Sequence, residues 1–100
     1  MSKPIYMFDG WRLDTGRRTL TNPCGDYVKL TQTEHNIMEI FCSRPQQKID
    51  RYEFATLDAG EQAICVYMTR LRKKLGDKER ALVKSVRLKG YYFAAPVSIE

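Results

Sequence analysis

Residues 70 to 74 read Arg-Leu-Arg-Lys-Lys, four cations in five positions, followed by Leu75 and Gly76. Such a run grips anions and breaks no bonds. An arginine fork takes two acceptors at once, from a phosphate, a carboxylate or a guanine edge, while lysine acts as a point charge. Groups that could do other chemistry are sparse. The one histidine, His35, has no ligand partner near it in sequence, and Cys24, Cys42 and Cys65 form no Cys-x-x-Cys pair, so no metal site is expected. There is no glycine-rich phosphate loop and no Ser/His/Asp arrangement. Glu34 and Glu39 are accounted for by capping and solvation. Neither a cofactor nor an enzymatic activity is expected. Three cysteines make no disulfide framework, and the expectation is three reduced thiols, at least two packed as small apolar groups. Cys65, beside the basic run, is read as one of these, and His35 as a half-buried helix residue.

Taken alone, the basic run is a solvated helix end whose charges complement the helix dipole. The distribution of charge argues for more. The net charge is +5, yet residues 1 to 60 balance eight cations against eight anions. Residues 61 to 100 hold nine cations and four anions, so the whole excess lies in the last forty residues. A one-sided excess of this kind suits a polyanion partner.

The elements that must position these charges can be read from periodicity and turn chemistry. "IYMF", "WRLD", "RTL" and "YVKL" are short alternating or β-type segments, separated by Asp9-Gly10, Thr15-Gly16 and "NPCGD". They predict an antiparallel four-stranded meander. Thr31 and Glu34 have capping-box spacing and open a first helix with Ile37, Met38 and Phe41 on one face, closed by Pro45. Asp50 is an N-cap candidate for a short second helix, "RYEFATL". A third helix is predicted from about Glu61 to Leu75. Ile64, Met68, Leu71 and Leu75 form its core stripe, and Gly76 is its stop. At 100° per residue the opposite side carries Gln62, Val66, Thr69, Arg70 and Lys73, flanked by Arg72 and Lys74. The segments "LVKSVR" and "YYFAA", joined by Leu88-Lys89-Gly90, predict a terminal hairpin, with Phe93 and at least one of Tyr91 and Tyr92 structural.

At 100 residues, 43% apolar and 29% charged, the chain suits one folded domain with a single core. It has no apolar run of the ~18 residues a membrane span needs and no secretory signal pattern, so a cytoplasmic location is expected. A helix with a core stripe behind and Gln, Thr, Arg and Lys in front is what insertion into a DNA major groove requires. On that face Val66 could meet a thymine methyl.

"LTQTEHNIMEIF", "IDRYEF", "VYMTRLRKKLG" and "SVRLKGYYF" occur in that order, and together the chain resembles the DNA-binding effector domain of OmpR/PhoB-type response regulators over nearly its whole length. The resemblance implies an α+β winged helix-turn-helix over residues 1–100. Its parts would be a β-meander at 1–30, a three-helix core at 31–76 and a wing hairpin at 82–95. It implies a bacterial-type, two-component-like transcription regulator that reads double-stranded DNA with its third helix in the major groove and its wing at the minor groove. Arg70 is then the foremost base reader, Thr69 and Val66 are next, and Gln62 is a DNA-binding residue on the same face. Arg72, Lys73 and Lys74 are expected at phosphates or flanking positions. Arg87 matches the wing arginine of the minor groove, Ser85 a hydroxyl residue touching backbone, and Lys89 a phosphate contact at the wing tip. Binding as a homodimer or as tandem copies is expected, with roughly 4–6 phosphate contacts per domain.

The sequence departs from the family pattern at four places. Leu88 replaces the usual glycine after the wing arginine. Thr69 stands where a basic residue is common, and His35 where an aromatic or aliphatic residue is usual. "ATLDAG" leads straight into the third helix, so the RNA polymerase contact made by the longer loop of some relatives is not carried over. The sequence holds no receiver domain, which implies either a stand-alone regulator or part of a longer chain. The reading from another class is a winged-helix protein–protein interaction module that binds or modulates another regulator.

Overall fold

The computed structural model describes residues 3–55, 64–77, 79, 81–86 and 89–100. Strands β1 (Ile5–Phe8) and β2 (Trp11–Asp14) are joined by Asp9-Gly10, both at positive φ (46° and 83°). That is the primed turn whose twist matches paired strands. Alternation then decides what is buried: Tyr6, Phe8, Trp11 and Leu13 point inward. At the turn over residues 22–26 Asn22 accepts from the N–H groups of Cys24 and Asp26 through Oδ1, and Gly25 takes φ 91°. This fixes β3 (Thr19–Thr21) against β4 (Tyr27–Val28).

The expected four-stranded meander is present, and a fifth strand joins it. β8 (Ser98–Ile99) pairs antiparallel with β1, giving the order β4-β3-β2-β1-β8. Both β8 residues are exposed, so no apolar alternation marks them, and their pairing spans the whole chain. A second sheet of order β5-β7-β6 contains β5 (Ile49–Asp50), β6 (Val83–Val86) and β7 (Gly90–Phe93).

Helix α1 (Gln32–Ser43) opens with a complete capping box. The Glu34 N–H donates to Thr31 Oγ1 (3.2 Å) and the Thr31 N–H to Glu34 Oε1 (2.8 Å). Asp50 starts α2 (Arg51–Ala55) by accepting from the Tyr52 N–H at 2.9 Å. The sequence expectation that α2 runs on to Leu57, and the loop after it, lie outside the described residues.

Helix α3 is described over Ile64–Lys74, and its expected start near Glu61 lies outside. Its C-terminus is a full Schellman motif: Gly76 at φ 67° donates to Lys73 O, and Asp77 to Arg72 O at 2.8 Å.

Ile64, Met68, Leu71 and Leu75 are buried as the stripe predicted, against Ile37, Met38 and Phe41. An aromatic chain crosses this core. Phe8 stacks on Trp11 and meets Phe93 edge-on at 4.9 Å; Phe93 stacks on Phe41, and Phe41 packs on Phe54, which meets Tyr91. One contiguous set of rings thus ties the N-terminal sheet, α1, α2 and the hairpin together.

Candidate nucleic-acid interface

With the apolar stripe of α3 inward, Cys65, Val66, Thr69, Arg70 and Lys73 come out on the opposite side and line one shallow depression. Three of the expected base readers therefore sit together with an expected phosphate contact. The Arg70 guanidinium lies 5.9 Å from the ring centre of Tyr67, which is half-buried and packed on the core. This contact restrains a long side chain before any partner arrives. The Thr69 hydroxyl donates to Cys65 O, one turn back in its own helix, at 2.9 Å.

Two cations of the run are held elsewhere. Arg72, expected at phosphate, donates to Val83 O from Nε (3.0 Å) and Nη2 (2.9 Å), and from Nη2 to Ser85 Oγ (2.9 Å). It fastens α3 to the first strand of the hairpin. Ser85, expected to touch a nucleic-acid backbone, accepts this bond. Lys74, also expected at phosphate, reaches back to Glu34 Oε1 at 2.5 Å. That carboxylate is 1% exposed, so the lysine supplies the counter-charge a buried anion requires. Burial pushes the Glu34 pKa up, but the hydrogen bond and charge of Lys74 and the Thr31 N–H outweigh it, and the group stays below its ordinary range. Sequence spacing could not separate these roles. Lys73 and Lys74 are adjacent, and only the packing of α1 against α3 decides which one turns inward.

The hairpin reaches the same side. Tyr91 on β7 lies with its hydroxyl 3.4 Å from Cys65 Sγ, and burial together with that thiol pushes its pKa up to about 12. Lys89 is exposed at the hairpin turn, and its carbonyl accepts from the Arg51 N–H at 3.1 Å. Arg51, whose guanidinium lies 5.3 Å from the Tyr52 ring centre, thereby joins the wing tip. In sequence Arg51 is marked only as the start of α2, because the β5–β7 pairing that brings it here is long-range. Gly90 permits that pairing. A Cβ there would stand 2.0 Å from Ile49 O. Gln62, Arg87 and Leu88 lie outside the described residues.

The cysteine and histidine expectations need correction. Of the three thiols only Cys42 is buried; Cys24 and Cys65 are exposed, so Cys65 is a surface thiol on the α3 face. His35 is buried at 2% exposure rather than half-buried. Its Nε2 lies 3.5 Å from Glu39 Oε2, and neither ring nitrogen has a hydrogen-bond partner among the described residues. Burial lowers its pKa, as do the charges of Arg18 and Lys3, against an upward pull from Glu39. Among the described residues no cluster of His, Cys, Asp and Glu could hold a metal ion.

Residues 25–93 match the family described as transcriptional regulatory protein, C terminal. The chain belongs to this family of OmpR/PhoB-type winged helices. The transcriptional regulatory protein GltR of Pseudomonas aeruginosa is 32% identical over 101 residues, covering 93% of this chain and 42% of GltR. The chain thus spans less than half the length of that curated relative. The DNA-binding domain of Klebsiella pneumoniae RstA, solved in complex with the RstA box, superposes with a TM-score of 0.79 at 26% identity, covering 90% of this chain and 96% of that one. The DNA-binding domain of Escherichia coli CadC superposes over all of both chains with a TM-score of 0.83 at 16% identity, a likeness of fold. In this winged-helix family member, then, α3 is the third helix of the helix-turn-helix and β6–β7 is the wing.

Proposed function

We propose that this chain is a non-enzymatic, sequence-specific double-stranded DNA-binding module of a bacterial transcription regulator, acting in the cytoplasm. Residues 1–100 are read as its single winged-helix domain. The observation that carries the proposal is the α3 face. Val66, Thr69 and Arg70 are exposed together, Lys73 stands beside them, and Arg72 bonds the helix to the wing from behind. Base reading needs donors and methyls on a rigid helix, and affinity needs cations at its edges. RstA, alike in fold and family, has been solved on a DNA box, which supports the same partner here.

In this assignment Arg70 takes a guanine edge, Val66 and Thr69 meet neighbouring pairs, and Lys73, Lys89 and Arg51 face phosphates. Gln62 and Arg87 remain base and minor-groove contacts on the strength of sequence alone. Binding by two copies on adjacent half-sites would raise the affinity of so small a domain. Selection of genomic duplexes by the purified protein at ~150 mM salt tests the proposal, because loose phosphate binding is weakened there. The expected result is a shared motif, repeated at about one helical turn. Recovery of no motif would contradict it and favour a protein-binding module.

A further inference from the structure

One flank of α3 is turned neither to the core nor outward but to the hairpin. Cys65 and Arg72 are seven residues apart, so at 100° per residue they point within about 20° of each other, roughly 10 Å apart along the helix. On the hairpin Ser85 and Tyr91 are direct partners across β6 and β7 and share one face. The two pairs meet. The Cys65 thiol lies 3.4 Å from the Tyr91 hydroxyl, and Arg72 Nη2 donates to Ser85 Oγ at 2.9 Å. Arg72 Nε and Nη2 both donate to Val83 O as well, at 3.0 and 2.9 Å. Long side chains bridge from both sides, Arg72 from the helix and Tyr91 from the wing. The Tyr91 ring is itself held edge-on to Phe54, 6.1 Å between centres. One attachment would leave the hairpin free to pivot about it. Two attachments, about two helical turns apart, fix its angle as well as its distance. A wing held in place before binding avoids the ordering cost that a loose one would meet on the duplex.

We propose that Cys65, Arg72, Ser85 and Tyr91 form a positioning seam that sets the wing at a fixed distance and angle from α3. One domain then reads only sites whose major-groove and minor-groove pairs have the matching separation. This rests on the DNA-binding function above, and it makes Arg72 a positioning residue instead of a phosphate contact. Arg72→Lys keeps the charge and loses the fork that grips two acceptors at once. Tyr91→Phe removes only the hydroxyl. In the free protein, amide spin relaxation should show β6 and β7 loosened in Arg72→Lys, with α3 and the N-terminal sheet as ordered as in wild type. On the selected duplex, a base-pair substitution on the wing side of the half-site should cost wild type about tenfold in affinity and Arg72→Lys about threefold or less. Substitutions under α3 should cost both proteins the same. Tyr91→Phe should show this pattern in smaller measure. In Arg72→Ala the slope of log affinity against log salt should hold, because no phosphate contact is lost. Wild-type wing order in Arg72→Lys, or a salt slope lowered by about one in Arg72→Ala with equal losses across the site, would overturn the seam alone. A wild-type protein that binds no duplex, even at low salt, would overturn the DNA-binding function, and the relaxation comparison would still decide whether the seam holds the wing.

Discussion

Lys73 and Lys74 are neighbours in sequence and opposites in role. Lys73 is exposed on the outer face of α3, whereas Lys74 neutralises Glu34, which is 1% exposed and holds the first turn of α1. Their alanine variants should therefore separate. Lys73→Ala should weaken all DNA sequences about equally and lower the salt slope by about one, with stability unchanged. Lys74→Ala should cost about 2–3 kcal/mol in a urea titration, because it strands a buried carboxylate. Equal effects of the two changes on stability would refute the division. The exposed side of α3 was legible at this scale, since 100° spacing placed Val66, Thr69, Arg70 and Lys73 outward. The inward turn of Arg72 and Lys74 was not. Both depend on partners forty and eleven residues away in sequence, Glu34 and Val83, which no local pattern connects.

At the scale of elements, two short pieces of backbone aim the helix and wing. Asp77, buried just past the Schellman end of α3, accepts from the N–H groups of Ala81, Leu82 and Val83. It sets the angle at which β6 leaves the helix. Asp77→Ala leaves these donors without their acceptor and should cost about 2–3 kcal/mol, read as a lower urea midpoint. Gly90 is the second piece. Gly90→Ala sets a methyl against Ile49 O, so β5 and β7 must part and the wing tip must shift away from Arg51. The expected readout is lower stability with DNA affinity lost beyond what stability explains; a folded variant of wild-type affinity would contradict it. The helices, the meander and the hairpin were all legible from caps, turns and alternation. β5 and β8 were not, because two residues carry no period and each is defined only by the strand it joins.

For the molecule as a whole, acid should loosen the fold by two routes of the same sign. His35 has a lowered pKa in the fold, so below its ordinary value of 6.5 the unfolded chain takes up a proton that the folded chain refuses. Stability then falls as pH falls. Glu34, also lowered, adds a second loss below its ordinary 4.5. Urea midpoints at pH 7.5 and 5.5 should show the first loss, and His35→Leu should flatten it; an unchanged slope would place the titration elsewhere. The ring chain from Trp11 to Tyr91 ties the N-terminal sheet, α1, α2 and the wing together, and α3 packs on the same core through Met68 and Leu71, which leaves its outer face for the major groove in the function proposed above. The most direct measurement replaces each guanine of the selected duplex by 7-deazaguanine, deleting one major-groove acceptor at a time, and compares wild type with Arg70→Ala. One guanine per half-site should cost wild type about 1–3 kcal/mol and the variant almost nothing. Equal losses in both proteins, or no loss at any guanine, would contradict major-groove reading by this face.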